Sequence, residues 1–82
     1  MEEYSVVKVV RLLTENREFI GSDGVKRPPE VGDIGTIVHI NAAGKNYIVE
    51  SSDTEGYTIW LADFEDAELV MVDGEFLDDN GG

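Results

Sequence analysis

The chain has 82 residues, of which 18 are acidic and 6 are basic, and its formal net charge at pH 7 is −12. A chain of this length makes one domain with a small core, so its margin of stability is narrow. It contains no cysteine and a single histidine, which excludes disulfide partners and thiolate-rich zinc sites. We therefore expect no metal and no cofactor, and self-association is the expected additional source of stability.

The negative charge is concentrated in the second half of the sequence. All the basic residues precede residue 46, together with seven acidic residues, and the other eleven acidic residues follow without a base among them. Nucleic-acid binding depends on lysine and arginine at the phosphates, so we expect no direct contact with DNA or RNA. A basic protein is a more compatible partner, although a solvated acidic surface explains the same composition.

The sequence gives no sign of export or of membrane insertion. Residues 1–4 are acidic where a secretory signal is basic, and no apolar run approaches the roughly 18 residues that span a bilayer. We expect a soluble cytoplasmic protein in which residues 1–72 form the domain. Residues 73–82 are expected to be an acidic, glycine-rich tail.

The first predicted element is a strand within Tyr4–Leu13. Its apolar positions also fit one face of a helix, but four valines in five positions favour a strand. A long polar connection follows over Thr14–Glu30, with Phe19 and Ile20 as its apolar pair. We expect this connection to fold back like a hairpin.

The next stretch, Pro28–Ile40, is the one on which the predicted architecture depends. Gly32 and Gly35 lie three residues apart, so the backbone can make a tight or positive-φ turn before the β-branched residues that follow. A bent strand is predicted over Ile34–Ile40.

The remaining elements are two predicted hairpins and a short turn. The turn 41–44 leads to a strand over Lys45–Ser51, and the turn 52–56 leads to a strand over Tyr57–Ala62. Alternation in the latter places Tyr57, Ile59 and Leu61 on the predicted core face and Trp60 on the opposite face. A tight turn at 63–66 and a strand over 67–72 complete the domain.

This pattern predicts an all-β fold, a small, five-stranded, strongly bent antiparallel barrel with a one-turn 3-10 helix before the last strand. The loop order is similar to that of SH3-like barrels. The segments 31–38, 47–50 and 66–69, with a closing valine, resemble an uncharacterised bacterial family of stand-alone SH3-like domains that carry a Gly-Asp-x-Gly-Thr-x-Val motif. The resemblance covers Val6–Val72 and implies a fold rather than an activity.

Two ligand classes of similar small barrels fit this chain poorly. Barrels that bind nucleic acid typically carry basic loops, whereas this chain has no base after Lys45. It also lacks the acidic and aromatic first-loop signature of domains that bind proline-rich peptides.

The candidate partner-binding residues combine aromatic and acidic side chains. They are Trp60, Tyr57, Tyr47, Phe76, Leu77, Asp63, Glu65 and Asp66. Aromatic residues in a small barrel also fill its core, and Phe76 and Leu77 either lie in an unstructured tail or dock on a neighbouring subunit. The outward placement makes Trp60 the principal candidate for a partner or subunit contact.

Catalytic and cation-binding interpretations are weaker. His39 has no Gly-x-Ser-x-Gly partner for nucleophilic chemistry, and the acidic residues do not follow the spacing of a calcium loop. The acidic residues of 46–82 are instead expected to raise one another's pKa by mutual repulsion, which favours the folded state at mildly acidic pH.

The sequence leaves three functions open. The favoured one is a non-enzymatic, self-associating protein-interaction module with an acidic partner-facing surface. The second is an accessory, non-catalytic subunit of a multi-subunit enzyme. The third is a polyanion mimic that occupies a basic protein.

Overall fold

The computed structural model describes residues 1–41 and 46–72, and these residues form an all-β fold. The strands are β1 (Val6–Val9), β2 (Ile34–Ile40), β3 (Asn46–Ser52), β4 (Thr58–Glu65) and β5 (Leu69–Met71), with a 3-10 turn, Asp66–Glu68, before β5. All are antiparallel in one sheet of order β4-β3-β2-β1-β5, so the last strand pairs with the first. The predicted small SH3-like barrel is confirmed.

The strand ends differ from the prediction where tertiary contacts decide them. β2 has the predicted bounds, but β1 stops at Val9. β4 continues to Glu65 because its last residues still pair with β3. The turn predicted at 63–66 is therefore wrong, and the 3-10 turn starts three residues later. Most of the turn predicted at 41–44 lies outside the described residues.

Gly32, before β2, and Gly35, within it, have different physical roles. Gly32 has φ +99°, which confirms the predicted positive-φ turn. Gly35 lies against β3, where a Cβ atom would stand 2.7 Å from Val49 Cγ1 and 2.8 Å from the carbonyl oxygen of Glu50. The pairing of β2 with β3 then shifts register between Ile37 and His39, which accommodates the bend of the strand.

We expect Gly35→Ala to destabilise the domain by roughly 2 kcal/mol or more, because the added methyl group meets a backbone oxygen that cannot move without shifting β3. Gly24 also has a positive φ, but a Cβ there meets nothing within 4 Å. Gly24→Ala is the matched control and is expected to cost about 1 kcal/mol through backbone strain alone. Urea denaturation compares the two, and equal losses would contradict the close-packing argument.

The core is formed by the inner face of the sheet. Its buried apolar residues are Val7, Val9, Ile37, Tyr47, Val49, Trp60, Ala62, Phe64 and Leu69. Within the described residues, no helix has the length and hydropathy needed to cross a membrane.

The predicted outward orientation of Trp60 is wrong. The alternation along β4 is as expected, but the faces are reversed: Trp60 is fully buried beside Phe64, with ring centroids 5.3 Å apart, whereas Tyr57 is 55% exposed. The indole can be buried because its Nε1–H donates a hydrogen bond of 2.8 Å to Asp33 Oδ2.

The long connection crosses the outer edge of β4 and does not only fold back on itself. Ile20 and Leu61 exchange two backbone hydrogen bonds, of 3.0 and 2.7 Å. Farther along, the N–H of Arg27 bonds to the carbonyl of Ile59. The connection thereby covers part of an edge that would otherwise be open.

Candidate partner-binding groove

The first half of the long connection is fixed by a buried ion pair. Glu68, on the 3-10 turn, is fully buried, and its Oε2 accepts hydrogen bonds from the guanidinium of Arg17 and, at 2.7 Å, from the N–H of Leu13. Its Oε1 accepts the N–H of Glu65 at 2.8 Å. Arg17 also lies over the ring of Phe64, 4.3 Å from the centroid. These contacts join the connection to the end of β4.

The surroundings of Glu68 favour its charged form. Burial alone raises the pKa of Glu68, but the hydrogen bonds from Arg17 and from the N–H groups of Glu65 and Leu13 outweigh it, so the pKa lies below its ordinary value. The expectation that the acidic residues of 46–82 raise one another's pKa is therefore wrong for Glu68, because its nearest charged partner is a cation.

A second carboxylate, Asp33, holds the other end of the connection. Its oxygens accept two hydrogen bonds from the guanidinium of Arg27, at 2.8 and 3.0 Å, and one from the N–H of Glu30 at 2.9 Å, besides that of the Trp60 indole. Burial raises the pKa of Asp33, but these hydrogen bonds lower it by more. The pKa of Asp33 therefore lies below its ordinary value. The aspartate of the Gly-Asp motif thus links the turn, the connection and the core.

The two lowered pKa values predict loss of stability in acid. Each carboxylate contributes fully above its unfolded-state pKa of about 4, and the contribution is lost as the pH falls through the lower folded-state value. We expect the melting temperature to drop as the pH falls from about 5 toward 2, and the drop to be smaller in Asp33→Asn. Thermal melts followed by circular dichroism measure this; a melting temperature that rises on acidification would contradict it.

Clefts surround the segment Leu12–Ile20, and Arg17 borders three of them. The cleft between this segment and the outer face of β3 and β4 has a volume of about 670 Å³. We call it the loop groove. Its lining consists of Arg17, Glu18, Phe19, Ile20, Ile48, Leu61, Ala62 and Asp63.

The loop groove combines an apolar floor with an acidic rim. Phe19, Ile48 and Leu61 are half-buried, and Ile20 is 69% exposed although two backbone hydrogen bonds fix its position. The side chains of Glu18 and Asp63 are exposed at the rim. A large apolar side chain held rigidly in water is typical of a contact surface, because little conformational entropy is lost when it is covered.

The structure separates the residues predicted to bind a partner. Asp63 borders the loop groove, and Glu65 lines an adjoining cleft of about 330 Å³. Trp60 and Tyr47 belong to the core, and the hydroxyl of Tyr47 lies 3.3 Å from Asp66 Oδ1.

The remaining predicted residues do not join the groove. Tyr57 is exposed beside the turn between β3 and β4, where its N–H donates to Asp53 Oδ1. Phe76 and Leu77 lie outside the described residues.

Apart from Asp63, sequence reasoning missed the residues that build and line the groove. Phe19 and Ile20 carried a signal, since they are the adjacent apolar pair within a polar connection. Arg17 and Glu68 carried none, because their pairing joins positions 51 residues apart.

The side chains of Ser51 and His39 each contact another part of the fold. The Ser51 hydroxyl donates to the carbonyl of Ile34 at 2.7 Å, and Nδ1 of His39 lies 3.9 Å from Glu3 Oε2. Among residues 1–41 and 46–72, no three acidic or histidine side chains are grouped so as to hold a metal ion.

Comparison of the chain with protein-family models, curated proteins and solved structures finds no significant match.

Proposed function

We propose that this protein is a non-enzymatic protein-binding module that uses the loop groove as its contact surface and presents an acidic rim to its partner. The observation that carries this proposal is the exposure of Ile20 on an apolar floor, in a backbone position fixed by its pairing with Leu61. Interfaces draw most of their affinity from a few such anchors surrounded by a polar rim. A cytoplasmic location fits the absence of cysteine.

The loop groove would also serve the other functions that the sequence leaves open, which are an accessory subunit of an enzyme and a polyanion mimic. An accessory subunit would contact its catalytic chain through the groove, and self-association would cover the groove with a second copy. The net charge of −12 supports a mimic of a polyanion equally well. Each of these remains a form of protein binding, and the identity of the partner distinguishes them.

The test compares two single substitutions, each of which places an aspartate at an exposed apolar position. Ile20→Asp places a charge on the groove floor, whereas Val31→Asp places one at a residue that is 60% exposed and lines none of the clefts described above. Partners are captured with the wild type and purified, and their affinity for each variant is measured by calorimetry. Solution mass is measured in parallel over a range of concentrations.

We expect Ile20→Asp to weaken partner binding or self-association by at least about tenfold. Val31→Asp should leave both affinities nearly unchanged. Circular dichroism must show both variants folded. Partners that bind Ile20→Asp as tightly as the wild type would contradict the assignment of the groove.

A further inference from the structure

We propose that the segment bound in the loop groove is an extended, basic stretch of polypeptide in which apolar and basic side chains alternate. The inference rests on the protein-binding function proposed above and specifies the chemistry of the partner.

The charge of the groove favours a basic ligand. Glu18 and Asp63 stand at its rim, and Glu15 and Glu65 line the adjoining clefts. The basic side chain in the lining, Arg17, is paired with Glu68 and does not neutralise the rim. Lysine or arginine side chains of a ligand would therefore find several carboxylates, whereas an acidic segment would be repelled.

The open edge of β4 favours an extended ligand. The N–H and carbonyl of Leu61 point away from β3 and bond to Ile20. Because backbone groups alternate in direction along an antiparallel strand, the N–H and carbonyl of Asp63 also point to this outer edge of β4. Toward the start of β4, Ser22 and Arg27 also bond to the carbonyls of Thr58 and Ile59, but within the described residues no backbone bond continues from Ile20 and Leu61 to Glu18 and Asp63. An added strand can pair there through its own backbone.

A buried donor beside the groove supplies independent support. The side chain of Arg17 is 9% exposed, and its Nη1 has no hydrogen-bond partner among residues 1–41 and 46–72. A buried donor without a partner is unfavourable, and a backbone carbonyl of the ligand is the neutral acceptor that would satisfy it without adding charge beside Glu68. Because Nη1 is covered in the free chain, this bond requires a local turn of the Arg17 side chain, while the backbone bonds between Ile20 and Leu61 stay in place.

An alternating pattern follows from the two faces that such a ligand would present. Successive side chains of an extended segment point to opposite sides. One set would rest on Phe19, Ile48 and Leu61, and the other would point away from this floor, where long basic side chains can bend back to the carboxylates of the rim.

The test uses short fluorescein-labelled peptides and the full-length chain. In the first peptide lysine and valine alternate; the second has glutamate in place of lysine; the third has proline in place of the central valines, which removes backbone N–H donors. Fluorescence anisotropy at low and high salt measures binding to the wild type, to the double variant Glu18→Gln/Asp63→Asn, and to the control variant Glu55→Gln. Glu55 is an exposed acidic residue in the turn after β3 and lines none of these clefts.

We expect the lysine peptide to bind about tenfold or more tightly than either comparison peptide, and its affinity to fall at high salt. The double variant should bind it about tenfold more weakly, and Glu55→Gln should bind it like the wild type. The inference would be overturned if the glutamate peptide or the proline peptide bound as tightly as the lysine peptide. An unchanged affinity of the double variant for the lysine peptide would also overturn it.

The two proposals fail in distinguishable ways. If no lysine peptide binds but a purified partner still depends on Ile20, the groove binds protein and the inferred ligand chemistry is wrong. If neither the peptide nor any partner depends on Ile20, both proposals are wrong.

Discussion

Replacing Glu68 by alanine is expected to lower the free energy of unfolding by about 3–5 kcal/mol. The substitution leaves the charge of Arg17 buried without its partner and removes the acceptor of the N–H groups of Leu13 and Glu65. Domains of this size have total stabilities of only about 4–12 kcal/mol, so the variant should be largely unfolded at modest urea concentrations. Equilibrium denaturation followed by Trp60 fluorescence measures the loss.

A double-mutant cycle separates the ion pair from the rest of this effect. We expect Arg17→Met/Glu68→Met to be less destabilised than the sum of its single variants, because removing both charges leaves none buried alone. Glu55→Ala is the surface control and should unfold like the wild type. Additive single losses would show that Arg17 and Glu68 do not stabilise each other.

Replacing Asp33 by alanine is expected to cost about 3 kcal/mol. The indole N–H of the buried Trp60 would lose its acceptor, and Arg27 would lose both of its hydrogen bonds to the carboxylate. Because the Trp60 indole loses its hydrogen-bond acceptor, the fluorescence emission of the folded variant should also shift. Urea denaturation and emission spectra measure the two effects.

The matched variants for Asp33 test charge and position separately. Asp33→Asn keeps an acceptor for the Trp60 indole and should lose less stability than the alanine variant. Asp23→Ala removes a fully exposed aspartate whose only ion pair, among the described residues, is with Lys26 at 3.7 Å, and should leave stability unchanged. If Asp33→Ala lowered the free energy of unfolding no more than Asp23→Ala does, the hydrogen bond of Trp60 to Asp33 would contribute nothing to stability.

These two carboxylates connect stability to the proposed binding surface. Glu68 holds the segment that carries Phe19 and Ile20 at one end, and Asp33 holds Arg27 at the other. Conservative variants at either position that remain folded are therefore expected to weaken groove-dependent binding, because the floor of the groove would no longer be held in place.

Local sequence information was sufficient for the number and order of the strands and for the turn before β2, but not for all of the strand ends. Valine-rich and β-branched runs identify β1 and β2, and Gly32 identifies a turn that needs a positive φ, because these preferences arise within a few bonds of the residue concerned. The order of the strands and loops was enough to predict the barrel.

Tertiary structure decided which faces are buried and where the groove lies. Alternation along β4 showed that Trp60 and Leu61 point to opposite sides, but it does not distinguish inside from outside when both sets are apolar. That choice depends on Asp33, 27 residues away, which accepts the indole hydrogen bond. The groove likewise depends on the pairing of Arg17 with Glu68, a contact between distant positions that only the folded chain brings together.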